Sequence, residues 1–139
     1  MHPDLNPPER RALIIEDEAL IAEELSERLS GLGFCVIAAV DSADEGVAIA
    51  TRERPDLVLM DIRLKGAKNG MQAAEEIRQQ VDVPIVYLTA YSDESTVERA
   101  KRTEHDGFIL KPFHRQELQA TIDVAMRRYA IRSQRKKRQ

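Results

Sequence analysis

Five polar residues stand directly after short apolar runs in this chain. Glu16 and Asp17 follow Ala12-Leu-Ile-Ile15, Asp61 follows Leu57-Val-Leu-Met60, Thr89 follows Ile85-Val-Tyr-Leu88, and Lys111 follows Phe108-Ile-Leu110. Any one of them reads as the start of a solvated loop; it is the joint occurrence that carries information. If folding gathers them, three carboxylates repel, since two unit charges about 5 Å apart at an effective dielectric near 20 cost roughly 3 kcal/mol. A divalent cation would offset that cost, and carboxylate, carbonyl and water ligands suit the octahedral demand of Mg²⁺. Lys111 neutralises only part of the charge. It is better suited to gripping a phosphoryl oxygen, or to pairing with Asp61 while the site is empty, with the Thr89 hydroxyl donating to the same group. The chemistry implied is phosphoryl transfer, in which a metal and a cation stabilise charge on the moving group while a carboxylate attacks.

Such a site needs a scaffold that brings distant strand ends together. The apolar β-branched run at 12–15 predicts a buried strand, and Ile21, Leu25, Leu29 and Leu32 then recur at three- or four-residue spacing, predicting a helix over about 19–31 that ends near Gly31 and Gly33. The cycle repeats. Phe34 to Val40 is a second strand, and Ser42 and Glu45 have capping-box spacing before a helix stopped by Pro55. A third strand over 56–60 runs into Asp61, and a loop through Gly66, Asn69 and Gly70 leads to a helix over Met71, Ala74 and Ile77. A fourth strand over 84–88 precedes a more polar helix over roughly 93–102. A fifth over 108–110 precedes a last helix carrying Leu118, Ile122, Ala125 and Tyr129. Strands written as almost unbroken apolar runs and alternating with helices predict an α/β fold, a parallel sheet covered on both faces. Right-handed crossovers then carry all five strand ends to one edge, where such folds place ligands.

Composition agrees with one domain. The 139 residues are 42% apolar and 32% charged, with a formal net charge of −3. A chain of this size buries roughly 70% of its extended surface without covalent staples. Cys35 is the single cysteine, which excludes an intramolecular disulfide and a Cys-clustered zinc site; beside Phe34 and Val36 it reads as a small apolar filler. No run approaches a membrane span and the Met-His-Pro-Asp start is no secretory leader, so a cytoplasmic location is expected. Residues 1–126 hold 14 Lys and Arg against 24 Asp and Glu, while residues 127–139 hold seven basic residues and no acid. The acidic body argues against broad nucleic-acid binding. The run Arg132–Gln139 reads as a solvated, frayed tail, and contact with nucleic acid or an acidic partner is the alternative.

With paired acids after the first strand, a central Asp, then Thr89-Ala90 and Lys111-Pro112 in order, the sequence resembles the receiver domain of two-component response regulators over about residues 10–130. The resemblance implies a flavodoxin-like, doubly wound five-stranded parallel sheet of order 2-1-3-4-5 with five helices. It also implies a lead over 1–9, a receiver domain over 10–131 and a basic tail over 132–139. Under it Asp61 is the phosphoacceptor, taking a phosphoryl group from a sensor histidine kinase or phosphotransfer protein. Asp17 is a direct Mg²⁺ ligand, Glu16 stands where a second acid acts, and Arg63 offers its backbone carbonyl to the metal. Glu16 departs from the family's commoner Asp. Thr89 and Phe108 match the switch pair, with Phe108 in place of the commoner Tyr and therefore without a hydroxyl. Lys111-Pro112 matches a cis peptide, and bulky Arg63 and Tyr91 stand where the lifetime of the phosphoryl group is set. The family docks kinases near the first helix, where Glu23, Glu24 and Glu27 otherwise read as a solvated face.

On this reading the protein is a stand-alone signalling domain rather than an enzyme with small-molecule turnover, its output being contact with a partner. Met126, Ala130 and Ile131 add apolar surface to the last helix beyond one stripe, which could serve a homodimer through the last strand and last two helices. His2, His105 and His114 lack mutual ligand spacing and are assigned no chemical role. Two rivals use the same residues differently. A phosphatase of the haloacid dehalogenase type wants a second Asp two residues after the first, where this chain has Arg63, and a receiver-like scaffold would dispense with phosphorylation.

Overall fold

The computed structural model describes residues 9–90, 94–102 and 105–138. Five strands alternate with five helices: β1 (Arg10–Ile15), α1 (Ala19–Gly31), β2 (Phe34–Val40), α2 (Ala43–Glu53), β3 (Leu57–Asp61), α3 (Gly70–Gln80), β4 (Ile85–Ala90), α4 (Glu94–Lys101), β5 (Gly107–Lys111) and α5 (Arg115–Arg138). The strands form one parallel sheet of order β2-β1-β3-β4-β5. This is the expected flavodoxin-like order.

Successive side chains of a strand face opposite ways, so each buried run feeds two cores. Leu13, Ile15, Val58, Met60, Ile85 and Tyr87 face one way and pack with Ala50, Ala74, Ile77 and Ala100 of α2, α3 and α4. Ala12, Ile14, Leu57, Leu59, Val86 and Leu88 face the other, against Leu25 and Leu29 of α1 and Leu118, Ile122 and Ala125 of α5. At about 25 cal/mol per Å² of apolar surface removed from water, these two layers supply the main force holding the strand ends in place.

Local signals set where the helices begin. The Ser42 hydroxyl accepts from the Glu45 N–H at 3.3 Å at the start of α2. Asn69 and Gln72 close a reciprocal capping box at the start of α3. Gly70 is required there: a Cβ would collide with the Asp61 carbonyl oxygen and lie 2.8 Å from Ile62 Cα. The Gly70 N–H instead donates to the Ile62 carbonyl at 2.7 Å, locking α3 against the segment that leaves β3.

Three expectations need correction. Strands β3, β4 and β5 each run at least one residue further than their apolar cores, so Asp61, Thr89 and Lys111 are in-strand residues held by the sheet ladder rather than the first loop positions. Cys35 is exposed on β2, an edge strand whose side chains on one face meet solvent, and fills no core. The run from Arg132 is no frayed tail. Helix α5 continues unbroken through Arg138 because acids at the opposite pole of the sheet hold it: Arg132 lies 2.7 Å from Asp106 and 3.8 Å from Asp82, Lys136 lies 3.5 Å from Asp82, and the Tyr129 hydroxyl donates to the Asp82 carbonyl. Asp106 is buried, also accepts from the Ile85 N–H, and has Arg78 of α3 at 3.7 Å. A charge pattern without matching acids nearby in sequence could not disclose this tie.

Candidate functional site

At the carboxyl edge, parallel pairing does the assembling. Ile15 is in register with Met60, Asp61 with Leu88, Thr89 with Leu110 and Ala90 with Lys111. The residues at the strand ends are therefore lateral neighbours although 95 positions separate the first from the last. Carboxylate oxygens of Glu16, Asp17 and Asp61 lie within 4.8 Å of one another, an all-oxygen grouping that could hold a hard cation. Glu16 and Asp61 are buried, and Asp17 is half-buried at the rim.

Backbone amides fix each carboxylate. The Glu18 N–H donates to Glu16 Oε2 at 3.1 Å, the Arg63 N–H to Asp61 Oδ1 at 3.0 Å, and the Lys65 N–H to Asp17 Oδ2 at 3.1 Å. Lys111 reaches in from β5, with Nζ 2.5 Å from Glu16 Oε1 and 3.3 Å from Asp61 Oδ2. The peptide that follows, Lys111-Pro112, is cis, as the resemblance implied. Thr89 is 3% exposed, and its buried hydroxyl has no hydrogen-bond partner among the described residues. An unpaired buried hydroxyl costs about 1–3 kcal/mol, so Thr89 holds an unmet donor beside the carboxylates.

The electrostatics follow from burial. Asp61 is pushed from an ordinary value of 3.8 up to about 8, first by desolvation and then by its hydrogen bond and charge contact with Glu16; Lys111 and the Arg63 amide pull the other way. For Lys111 desolvation favours the neutral amine, yet the hydrogen bond to Glu16 and the charges of Asp61 and Glu16 outweigh it and raise its proton affinity. One ammonium thus serves two buried acids, leaving an excess of negative charge that a divalent cation would meet.

The structure brings together Glu16, Asp17, Asp61 and Lys111, with Thr89 beside them. Arg63 has an exposed side chain lining an open cleft with Asp17, Glu18, Lys65, Asn69, Met71 and Arg99. Phe108 is half-buried lower on the same sheet face and packs on Tyr87 and His105. Tyr91 and His2 lie outside the described residues. The sequence reading missed the Lys65 amide, Gly70 and the neighbours of Phe108. A backbone donor has no side-chain signature. Asn-Gly before a helical run was legible as a turn, but not as the place where a helix meets the backbone of Asp61.

The receiver-domain model of response regulators matches residues 12–123. The chain belongs to the response regulator receiver family. Among curated proteins it is 38% identical over 120 residues to the transcriptional regulatory protein PdtaR of Mycobacterium tuberculosis H37Rv, covering 86% of this chain and 58% of that one. It is 36% identical over 115 residues to the phyllosphere-induced regulator PhyR of Methylorubrum extorquens, covering 82% and 42%. The chain thus spans about half the length of these relatives. Among solved receivers, that of a modulated diguanylate cyclase from Desulfovibrio desulfuricans G20 superposes with a TM-score of 0.82 at 33% identity, over 90% of this chain and 99% of that one. The receiver of a sensor histidine kinase from Pseudomonas aeruginosa PAO1, solved with magnesium coordinated in its active-site cleft, gives 0.77 at 31% identity over 86% and 98%. Like them, this receiver is a signalling domain. No helix among its described residues is long and apolar enough to cross a membrane.

Proposed function

We propose that this receiver is a phosphoacceptor whose Asp61 takes a phosphoryl group from a phosphohistidine of a sensor histidine kinase or phosphotransfer protein. An Asp61 carboxylate oxygen attacks phosphorus, the P–N bond breaks, the imidazole leaves as the neutral base after taking up a proton, and an acyl phosphate remains. The observation that carries this reading is the orphaned, buried Thr89 hydroxyl beside a carboxylate cluster that one lysine underneutralises. A phosphoryl group supplies an acceptor for the hydroxyl and anionic oxygens for Lys111.

The donor set fits Mg²⁺: carboxylates of Glu16, Asp17 and Asp61 with the Arg63 backbone carbonyl would hold it. When bound it neutralises charge on the phosphoryl oxygens. Glu16, being buried and tied to Lys111, acts chiefly by setting the charge and position of Lys111. Lys111 then shifts its contact from Asp61 to the incoming phosphoryl oxygens. The cis Lys111-Pro112 bond belongs to the turn from which that ammonium is aimed.

Thr89 and Phe108 form the switch in this proposal. Drawing the hydroxyl toward the phosphoryl group vacates space for the aromatic ring, which repacks β5 and its neighbouring helices. Arg63 and Tyr91 restrict hydrolytic water and lengthen the phosphorylated state. The switched surface engages a downstream protein. Val124 and Ile131, 42% and 54% exposed on α5, are the apolar part of a homodimer face over α4, β5 and α5. The acidic body keeps nucleic acid off this unit, no small-molecule turnover is expected, and the setting is the cytoplasm. Incubation with acetyl phosphate tests the core reading: Mg²⁺-dependent labelling that disappears in Asp61→Asn supports it, and labelling that persists in that variant, or never occurs, refutes it.

A further inference from the structure

Phe108 sits in a small aromatic cluster whose other two members, Tyr87 and His105, the proposed chemistry leaves unused. Its ring centre is 4.3 Å from that of His105, edge to face, and 5.6 Å from that of Tyr87, while Tyr87 and His105 are 6.2 Å apart. Tyr87 is wholly buried and lies two residues before Thr89 on β4, hence on the same face of the sheet. Two polar atoms of this cluster, the Tyr87 hydroxyl and His105 Nδ1, are buried without a hydrogen-bond partner among the described residues. They are chemically complementary, because a phenol donates and the Nδ1 of a neutral imidazole in its Nε2–H tautomer accepts.

The surroundings keep His105 neutral. Burial lowers its proton affinity, Asp106 on its own segment raises it, and Arg78 of α3 and Arg128 of α5 lower it; Tyr87 is the titratable group facing it from β4. Asp106 is itself occupied by Arg132, Arg78 and the Ile85 N–H, which limits what it offers the imidazole. A donor and an acceptor lie within one ring contact of each other, both unmet, with the Phe108 ring packed on both.

We propose that Tyr87 and His105 are a buried hydrogen-bonding pair held apart while Phe108 packs on them, and that they close on each other when Phe108 moves toward Thr89. The pair then holds the switched conformation, supplying at a distance the polar contact that a Phe at this position cannot make itself. This inference rests on the phosphoacceptor reading of Asp61 and deepens it by naming what stabilises the responding state. Two buried unmet groups burden the resting state and are satisfied in the switched one, so their pairing biases the equilibrium. Protonating His105 removes the acceptor, so acid weakens the response.

The test uses the full chain with ¹⁵N-labelled histidine, Mg²⁺ and beryllofluoride as a phosphoryl mimic. On addition of the mimic, the Nδ1 resonance of His105 should move to the position of a hydrogen-bonded acceptor, and the pH at which the ring titrates should fall. Tyr87→Phe should abolish that shift and raise the beryllofluoride concentration for half-saturation by about tenfold, the size of one net buried hydrogen bond with its relieved penalty. Adding His105→Leu to that variant should cost nothing further. An Nδ1 resonance unmoved by beryllofluoride overturns the proposal without any variant, as does unchanged half-saturation in Tyr87→Phe. If acetyl phosphate labels Asp61 while His105 stays silent, only this inference falls; if nothing labels, both fall.

Discussion

Replacing Asp61 with Asn should make the metal-free protein more stable, and the effect should grow with pH. In the folded chain the Asp61 carboxyl is raised from 3.8 to about 8, by burial first and Glu16 second. Between these values the native state binds a proton that the unfolded state has released. Stability therefore falls as pH rises through that window. Each tenfold change in proton affinity is worth about 1.4 kcal/mol, so the full span sets a ceiling of about 6 kcal/mol at pH 8. Lys111, which contacts both acids, can follow whichever is ionised, and relaxation of that kind leaves about 2–3 kcal/mol as the expected difference. Asn keeps the size and the acceptor oxygen for the Arg63 N–H while removing the charge. In EDTA at pH 8 thermal melts should show Asp61→Asn higher by on the order of 10 °C for a domain of this size. At pH 5, only about one unit above the free carboxyl value of 3.8, at most about 1.6 kcal/mol of that gap can have built up, roughly half of the difference at pH 8. Mg²⁺ at tenfold its dissociation constant should restore about 1.4 kcal/mol to the wild type alone. Equal or lower stability of Asp61→Asn at pH 8 in EDTA, or a gap that widens toward pH 5, would refute the account of a charge confined in a dry site.

Other perturbations test the elements that hold the site. Arg132→Ala leaves buried Asp106 with Arg78 at 3.7 Å as its remaining cation partner among the described residues and should cost about 1–3 kcal/mol in urea unfolding, with amide protection lost over 129–138; retained protection there would show that the acids do not hold α5. Gly70→Ala forces a methyl into the backbone of Asp61 and Ile62, so stability should drop by at least about 2 kcal/mol and Mg²⁺ binding, read by calorimetry, should weaken together with it. Lys111→Met strips the cation from buried Glu16 and should destabilise the metal-free chain by about 2–3 kcal/mol. Because the Lys111 ammonium is favoured in the fold, that advantage of the wild type should persist through neutral pH and fade only above the range where a free lysine titrates, which alkaline urea titrations would reveal.

Much of this molecule was legible as text. Runs such as Leu57-Val-Leu-Met60 can be buried on both faces only in a covered parallel sheet, and the amphipathic stretches between them have only that sheet to cover. Right-handed connection then obliges Glu16, Asp17, Asp61, Thr89 and Lys111 to share an edge, so which groups meet there was legible before any coordinate. Tertiary structure decided what distance and desolvation control. Lys111 is shared with Glu16 more closely than with Asp61, Gly70 is wedged against the Asp61 backbone, and Asp106 recruits the basic end of α5 into a helix. Residue type and order specify which groups a chain can bring to a strand end. How far each is stripped of water, and which neighbour answers its charge, is settled only when segments remote in sequence pack against one another.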